Sequence, residues 1–307
     1  MVFNIDKLFE AVAARGHVCA GLDTCADYVP PTERKISRND AEAVLAFNKA
    51  LIDSTLDVCA CYKVQIAYYE EMGIEGLSAY SQTLKYIKSR GGIAIADIKR
   101  GDIADTASRY VKAHYSGGFE ADFVTISPYM GMDSVEPWIK EAQSNGKGAF
   151  VLMRTSNKGM RDFQYLKVES REQGAESKEQ GTANDKRLYH VVGDKLSSLA
   201  GQYKGVNGYG IFGAVVGCTE RDEAADIRKN YPDLFFLIPG YGAQGGGAKD
   251  AALLLREGNG GVVNASRSII TAWKKECSGN EATLETAAAS ARKAAIEMRD
   301  EIRFEIK

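Results

Sequence analysis

The sequence predicts an α/β chain folded as a single (β/α)8 TIM barrel over residues 1–307, with a polar insertion after strand five. Two observations carry this expectation. Eight short, almost continuously apolar runs recur along the chain, as strands buried on both faces of a parallel sheet must. Helical patterns separate them, and eight strand-then-helix repeats favour a closed barrel over an open doubly wound sheet. A chain of 307 residues, 45% hydrophobic and 26% charged, suits one such domain.

The elements follow in order. The opening MVFNIDKLFEAVAARG sets Asp6, Lys7 and Glu10 among apolar positions, which makes an amphipathic helix and not a secretory leader. HVCAGLD (17–23) is the first strand. SRND then opens a helix at Ser37 with a capping-box pattern, and Val44, Phe47 and Leu51 follow at spacings of three and four. The next strands are ACYKVQIA (60–67), GIAIADI (92–98), DFVTIS (122–127) and GAFVLMR (148–154). Segment 162–186, DFQYLKVESREQGAESKEQGTANDK, breaks the rhythm. It reads as a long excursion on the catalytic face, of a length usual for functional or disordered loops. YGIFGAVVG (209–217), LFFLIPG (234–240) and GGVVNAS (260–266) complete the strands. A last helix over 283–304 aligns Leu284, Ala288, Ala291, Ala295, Met298 and Ile302 on one stripe.

Composition narrows the functions. With 39 basic and 41 acidic residues the formal charge is −2, so no global field attracts nucleic acid or an anionic membrane. Any bound anion needs a local site. No apolar run approaches the ~20 residues of a membrane span, and a cytoplasmic location is expected. The cysteines (Cys19, Cys25, Cys59, Cys61, Cys218, Cys277) lie mostly in apolar runs and read as reduced thiols. Cys59-x-Cys61 has no second pair to complete a zinc site, and His17, His114 and His190 are far apart. No metal site built from these residues is expected.

In a barrel, chemistry sits at the C-terminal strand ends. Strand one ends in Asp23, and strand two carries Lys63 between Tyr62 and Val64. Strand three delivers Asp97 and Lys99, which alternation sends to the same side. Asp102 follows in the turn, with Thr106 one helical turn later. Lys63, Asp97, Lys99 and Asp102 thus form an alternating array at the mouth. Structural ion pairs or solvated turn charges are the bland alternative. Two lysines embedded in strand sequence beside two aspartates outweigh it, because burying charge is costly.

Late in the chain, IPGYGAQGGG (238–247) and NASRSI (264–269) follow strands seven and eight, whose loops often bind phosphate. Glycines permit close backbone approach, Gln244 supplies an amide donor, and Arg267 offers a bidentate fork. These loops point to a phosphorylated ligand.

Together the motifs carry a resemblance. Asp97-x-Lys99-x-x-Asp102-Ile103-x-x-Thr106 is similar to the signature of the orotidine 5′-phosphate decarboxylase family. Agreement extends to Gly21-Leu22-Asp23, Lys63, RTSN at 154–157, PGYGAQGG at 239–246 and SRSI at 266–269. The chain resembles the longer-chain branch, where an insertion after strand five is common. Gln65 stands where some members carry Asn. The D-x-K-x-x-D core alone is shared with a wider superfamily; RTSN and PGxGAQGG make the match specific.

The resemblance implies conversion of orotidine 5′-monophosphate to UMP and CO2, the last step of de novo UMP synthesis, without metal or cofactor. It implies that Lys99 stabilises and protonates C6, with Asp97 beside the departing carboxylate and Lys63 and Asp102 balancing the array. Asp23 and Lys63 are implied to contact ribose, Thr155 and Ser156 the pyrimidine edge, Pro239 the base, and Gln244 and Arg267 the phosphate. Ile103 is a further substrate-binding candidate. A homodimer with shared sites follows, in which Asp102 and Thr106 serve the partner. The nearest rivals are superfamily enzymes acting on sugar phosphates with Mg²⁺ and an extra acidic ligand. A non-catalytic nucleotide-binding barrel would be expected to have lost one of the four charges.

Overall fold

In the computed structural model, which describes residues 2–168, 186–242, 244–276 and 282–306, eight parallel strands close into a barrel. They are β1 (Val18–Gly21), β2 (Cys61–Gln65), β3 (Ala94–Arg100), β4 (Phe123–Ile126), β5 (Gly148–Arg154), β6 (Phe212–Val216), β7 (Phe236–Ile238) and β8 (Gly261–Ala265). Each lies within its expected run except β3, which continues two residues further. Closure comes from β1, which pairs with β2 on one side and β8 on the other, Val18 opposite Val263. Registers such as Gly21 opposite Lys63 and Gln65 opposite Asp97 bring the polar strand ends to one rim.

The lower interior is an aromatic plug. The rings of Phe123 and Phe150 lie 5.3 Å apart, and that of Phe235 is 6.5 Å from Phe150. A Cβ at Gly213 would stand 2.2 Å from the Phe235 carbonyl and 2.9 Å from the Phe150 ring, so only glycine fits there. With the floor filled by large rings, the upper end is left to polar side chains.

Helices cover the outside. Helix Asp40–Thr55 buries Val44, Phe47 and Leu51 as the spacing predicts, and fully burying one such side chain contributes about 2–3 kcal/mol. Its cap differs from the expectation. Asn39 Oδ1 accepts the Glu42 N–H at 2.9 Å, while Ser37 ends a separate short helix, Pro31–Ile36. Pro31 is suited to a first helical turn and nucleates that extra piece. The final helix, Leu284–Glu305, buries Ala288, Ala291, Ala295, Met298 and Ile302, and Leu284 in its first turn is only partly buried.

After β5 come a turn of helix, Met160–Phe163, and a two-residue antiparallel pair, Lys167–Val168 with Lys186–Arg187. Helix Leu188–Gln202 follows. Residues 169–185, the centre of the expected excursion, lie outside the described residues. Its base is stapled down: the Tyr165 hydroxyl donates to Glu223 at 2.6 Å, and Arg187 pairs with Glu223 while stacking 4.2 Å over the Tyr165 ring.

Candidate active site

A cavity of about 420 Å³ opens at the C-terminal rim of the barrel. Asp23, Lys63, Asp97, Lys99 and Thr125 form one wall, and Leu152, Val215, Leu237 and Pro239 the apolar side. Thr155, Ser156, Asn157, Gln244 and Asn264 complete the lining with Gln65.

The charges form a chain of contacts. Lys63 Nζ lies 2.9 Å from both Asp23 Oδ1 and Asp97 Oδ2, and Lys99 Nζ lies 2.6 Å from Asp97 Oδ1. Asp97 also accepts from the Thr125 hydroxyl at 2.8 Å and the Gln65 amide at 3.0 Å, so each of its oxygens takes two donors. Burial opposes its ionisation, but Lys63 and Lys99 more than offset that and hold its carboxyl below the usual carboxylate range. Burial likewise disfavours the Lys63 ammonium, and Asp23 and Asp97 overcome it, so Lys63 stays charged above its ordinary range. Both side chains are buried, whereas that of Lys99 is 46% exposed and faces the cavity. Lys99 is therefore the cation positioned to meet a ligand.

Local backbone makes this possible. The β3–β4 register breaks between Ala96 and Arg100, and Lys99 adopts φ 44°. A non-glycine residue there costs on the order of 1 kcal/mol, strain that concentrates at functional sites. Thr125 Oγ1 compensates by accepting the N–H groups of both Ile98 and Lys99 at 3.0 Å. Asp23 is fixed in the same manner, its Oδ2 accepting from Ser266 Oγ at 2.7 Å.

Asp102 does not join this array within its own chain. It stands outside the cavity lining, and its Oδ1 accepts the neighbouring Ile103 N–H at 2.9 Å. Ile103 and Thr106 are exposed. One chain thus gathers Lys63, Asp97 and Lys99 with Asp23 as the second carboxylate.

Thr155 and Ser156 both reach the cavity but differ in freedom. The Thr155 hydroxyl donates to Asn157 Oδ1 at 2.7 Å and accepts from Gln164 Nε2 at 2.9 Å, while its N–H donates to Gln164 Oε1. The Ser156 hydroxyl makes no hydrogen bond among the described residues.

The loop after β7 turns on left-handed glycines: Gly240, Gly242 and Gly245 have φ of 105°, 73° and 98°. Gly242 N–H donates to Gly246 at 2.8 Å, and Gly246 N–H donates to Gly240 at 3.0 Å. Ala243 of the motif lies outside the described residues. Gln244 is exposed on the cavity wall; Arg267, two residues past β8, is exposed and is not part of that wall.

Sequence reading missed four supporting residues: Thr125, Gln164, Asn264 and Ser266. A threonine in DFVTIS carries no signal of its own, and Ser266 lay inside a quoted motif without a role.

Fold and site define a TIM barrel of the enzyme class, with a lysine–aspartate array lining a cavity at the strand ends. The family model described as Orotidine 5'-phosphate decarboxylase / HUMPS family matches residues 17–281, and the chain belongs to that family. It is 52% identical over 299 residues to the orotidine 5'-phosphate decarboxylase of Clostridium acetobutylicum, covering 97% of this chain and 98% of that one. Identity to the Clostridium kluyveri protein of the same name is 50% over 298 residues, covering 97% and 96%. Among solved structures, Leishmania donovani OMP decarboxylase superposes with a TM-score of 0.72 at 32% identity, covering 100% of this chain and 99% of that one. Leishmania donovani UMP synthase gives 0.75 at 32% identity; this chain is covered fully and spans 57% of that chain. No helix among the described residues is long and apolar enough to cross a membrane.

Proposed function

We propose that this chain converts orotidine 5′-monophosphate to UMP and CO2, the last step of de novo pyrimidine synthesis, as a single cytoplasmic catalytic domain without metal or cofactor. The observation that carries the reading is the Lys99 ammonium held 2.6 Å from the ionised Asp97 at the cavity wall in a chain of this family.

The chemistry explains that arrangement. When the C6–carboxylate bond breaks, its electron pair stays in an in-plane orbital that the ring π-system cannot absorb. A positioned ammonium stabilises the charge as it develops and then donates its proton, forming the C6–H bond. Lys99 does both and is reprotonated by solvent. Asp97 lies beside the departing carboxylate and holds Lys99 in place. Lys63 locks Asp97 and contacts ribose together with Asp23. Ser156, whose hydroxyl is uncommitted, reads the pyrimidine edge while Thr155 shapes the loop. Pro239 packs near the base, and Gln244 and Arg267 grip the phosphate, a remote contact whose energy drives positioning at C6.

The working unit in this reading is a homodimer. Asp102, Ile103 and Thr106 lie outside their own cavity at the strand-end rim, Ile103 and Thr106 exposed; Tyr129, 82% exposed, and the exposed Phe163 have their rings 6.4 Å apart. A two-fold contact across this rim carries Asp102 and its neighbours into the partner's site.

A spectrophotometric assay tests the activity. Loss of orotidylate absorbance with UMP and CO2 formed one to one, unchanged by EDTA, is the expected result. No turnover of orotidylate would favour a magnesium-dependent sugar-phosphate chemistry instead, and orotidylate turnover abolished by EDTA would overturn the metal independence of the reaction.

A further inference from the structure

The loop after β7 has few means of holding its own shape. Four of its seven residues from 240 to 246 are glycine, and Gly240, Gly242 and Gly245 occupy left-handed backbone. Glycine loses the most conformational freedom on ordering, so a loop built from it needs an outside anchor. Tyr241 and Gln244 are its large side chains. Gln244 faces the cavity, but Tyr241 points the other way, half-buried, and its hydroxyl donates to Glu301 Oε2.

Glu301 is a firm attachment point. It projects from the helix Leu284–Glu305, and the neighbouring Met298 and Ile302 are buried against the barrel. The backbone pairs Tyr241 with Gly246 across the loop, through Gly242 N–H to Gly246 and Gly246 N–H to Gly240, so a tie on the Tyr241 side chain is passed to both limbs. Behind it lies a space of about 200 Å³ bordered by Ser268, Met298 and Glu301, into which an untied loop could settle. Burial, and then the Glu301 carboxylate, push the phenol's titration upward, so it remains a donor through neutral pH.

We infer that Tyr241, tied to Glu301, is a positioning residue that holds the glycine loop in its phosphate-binding form. The inference rests on the assignment of this loop to the substrate phosphate. Tyr241 touches no reacting atom; it acts by lowering the ordering cost of binding.

Calorimetric titration with UMP and with uridine tests this on the full chain. In Tyr241→Phe and Glu301→Ala, UMP should bind about tenfold more weakly, as for one lost charge-assisted hydrogen bond, while uridine affinity stays the same. Glu301→Gln, which keeps an acceptor, should recover most of the loss, and the double variant should be no worse than either single one. Equal losses for both ligands would mean a general structural role and overturn the inference, as would no loss at all. Arg267→Ala separates this from the phosphate assignment. If it weakens UMP selectively while Tyr241→Phe does not, the tie alone fails. If it treats UMP and uridine alike, the phosphate assignment falls and takes this inference with it.

Discussion

Lys99 brings its ammonium to 2.6 Å from Asp97 Oδ1 from a backbone at φ 44°. The contact depends on the side chain across the β3–β4 seam. Thr125 Oγ1 accepts the N–H groups of Ile98 and Lys99 and donates to the same Asp97 oxygen. One hydroxyl therefore holds both the strained backbone and the carboxylate that the lysine meets.

Thr125→Val keeps the shape and removes those three bonds. Leaving two N–H groups and a carboxylate oxygen short of partners should lower stability by about 2–4 kcal/mol in urea unfolding. Decarboxylation should fall by about 10- to 100-fold through lost preorganisation, and Thr125→Ser should restore most of both. A valine variant with wild-type stability and kcat would show that Thr125 does not support the relay.

The pH dependence of stability has a definite sign. His114 is buried against Phe119, and burial, then the Arg100 charge, lower its pKa to about 4. The unfolded chain thus binds more protons between that value and the ordinary histidine range. Its contribution is complete above about pH 6.5 and is lost as pH falls toward 4. His17 acts in the same direction, its pKa lowered by burial. Asp97, depressed, contributes fully above the ordinary carboxylate range and fails only below it; Lys63, raised, contributes fully below the ordinary lysine range and fails only above its folded value. Unfolding free energy should therefore drop between pH 7 and 5 by about 2 kcal/mol from His114 alone. His114→Phe should flatten that slope in urea titrations at the two pH values; an unchanged slope would assign the loss elsewhere.

The proposed sharing of sites between two subunits predicts complementation. Lys99→Ala and Asp102→Ala should each be inactive alone. Mixed under conditions of subunit exchange, they should regain activity, because one site of each heterodimer joins intact Lys99 with intact Asp102. No recovery, with heterodimers seen by native mass spectrometry, would place Asp102 in its own subunit's site.

Much of the barrel was legible because strands buried on both faces of a parallel sheet must be largely apolar, and all eight runs are nearly so. The charged relay was legible for the opposite reason: lysine and aspartate inside strand sequence conflict with burial unless they pair. What escaped depended on neighbours distant in sequence. Asn39 rather than Ser37 caps its helix because Pro31 starts a separate one upstream. The left-handed turn at Lys99 is invisible in DIKR, which reads as plain alternation, and only Thr125 makes it tenable. Asp102 matched a motif by spacing, yet its direction was set by the outward turn after β3.

The central claim is that Lys99 delivers the proton to C6, and single-turnover decarboxylation by Lys99→Ala tests it most directly. With UMP affinity measured on the same variant, the account predicts a rate loss of at least about 10⁴-fold, the upper end for a positioned acid, with UMP binding largely kept. A variant retaining a tenth of the wild-type rate, only about 1.4 kcal/mol, would contradict it.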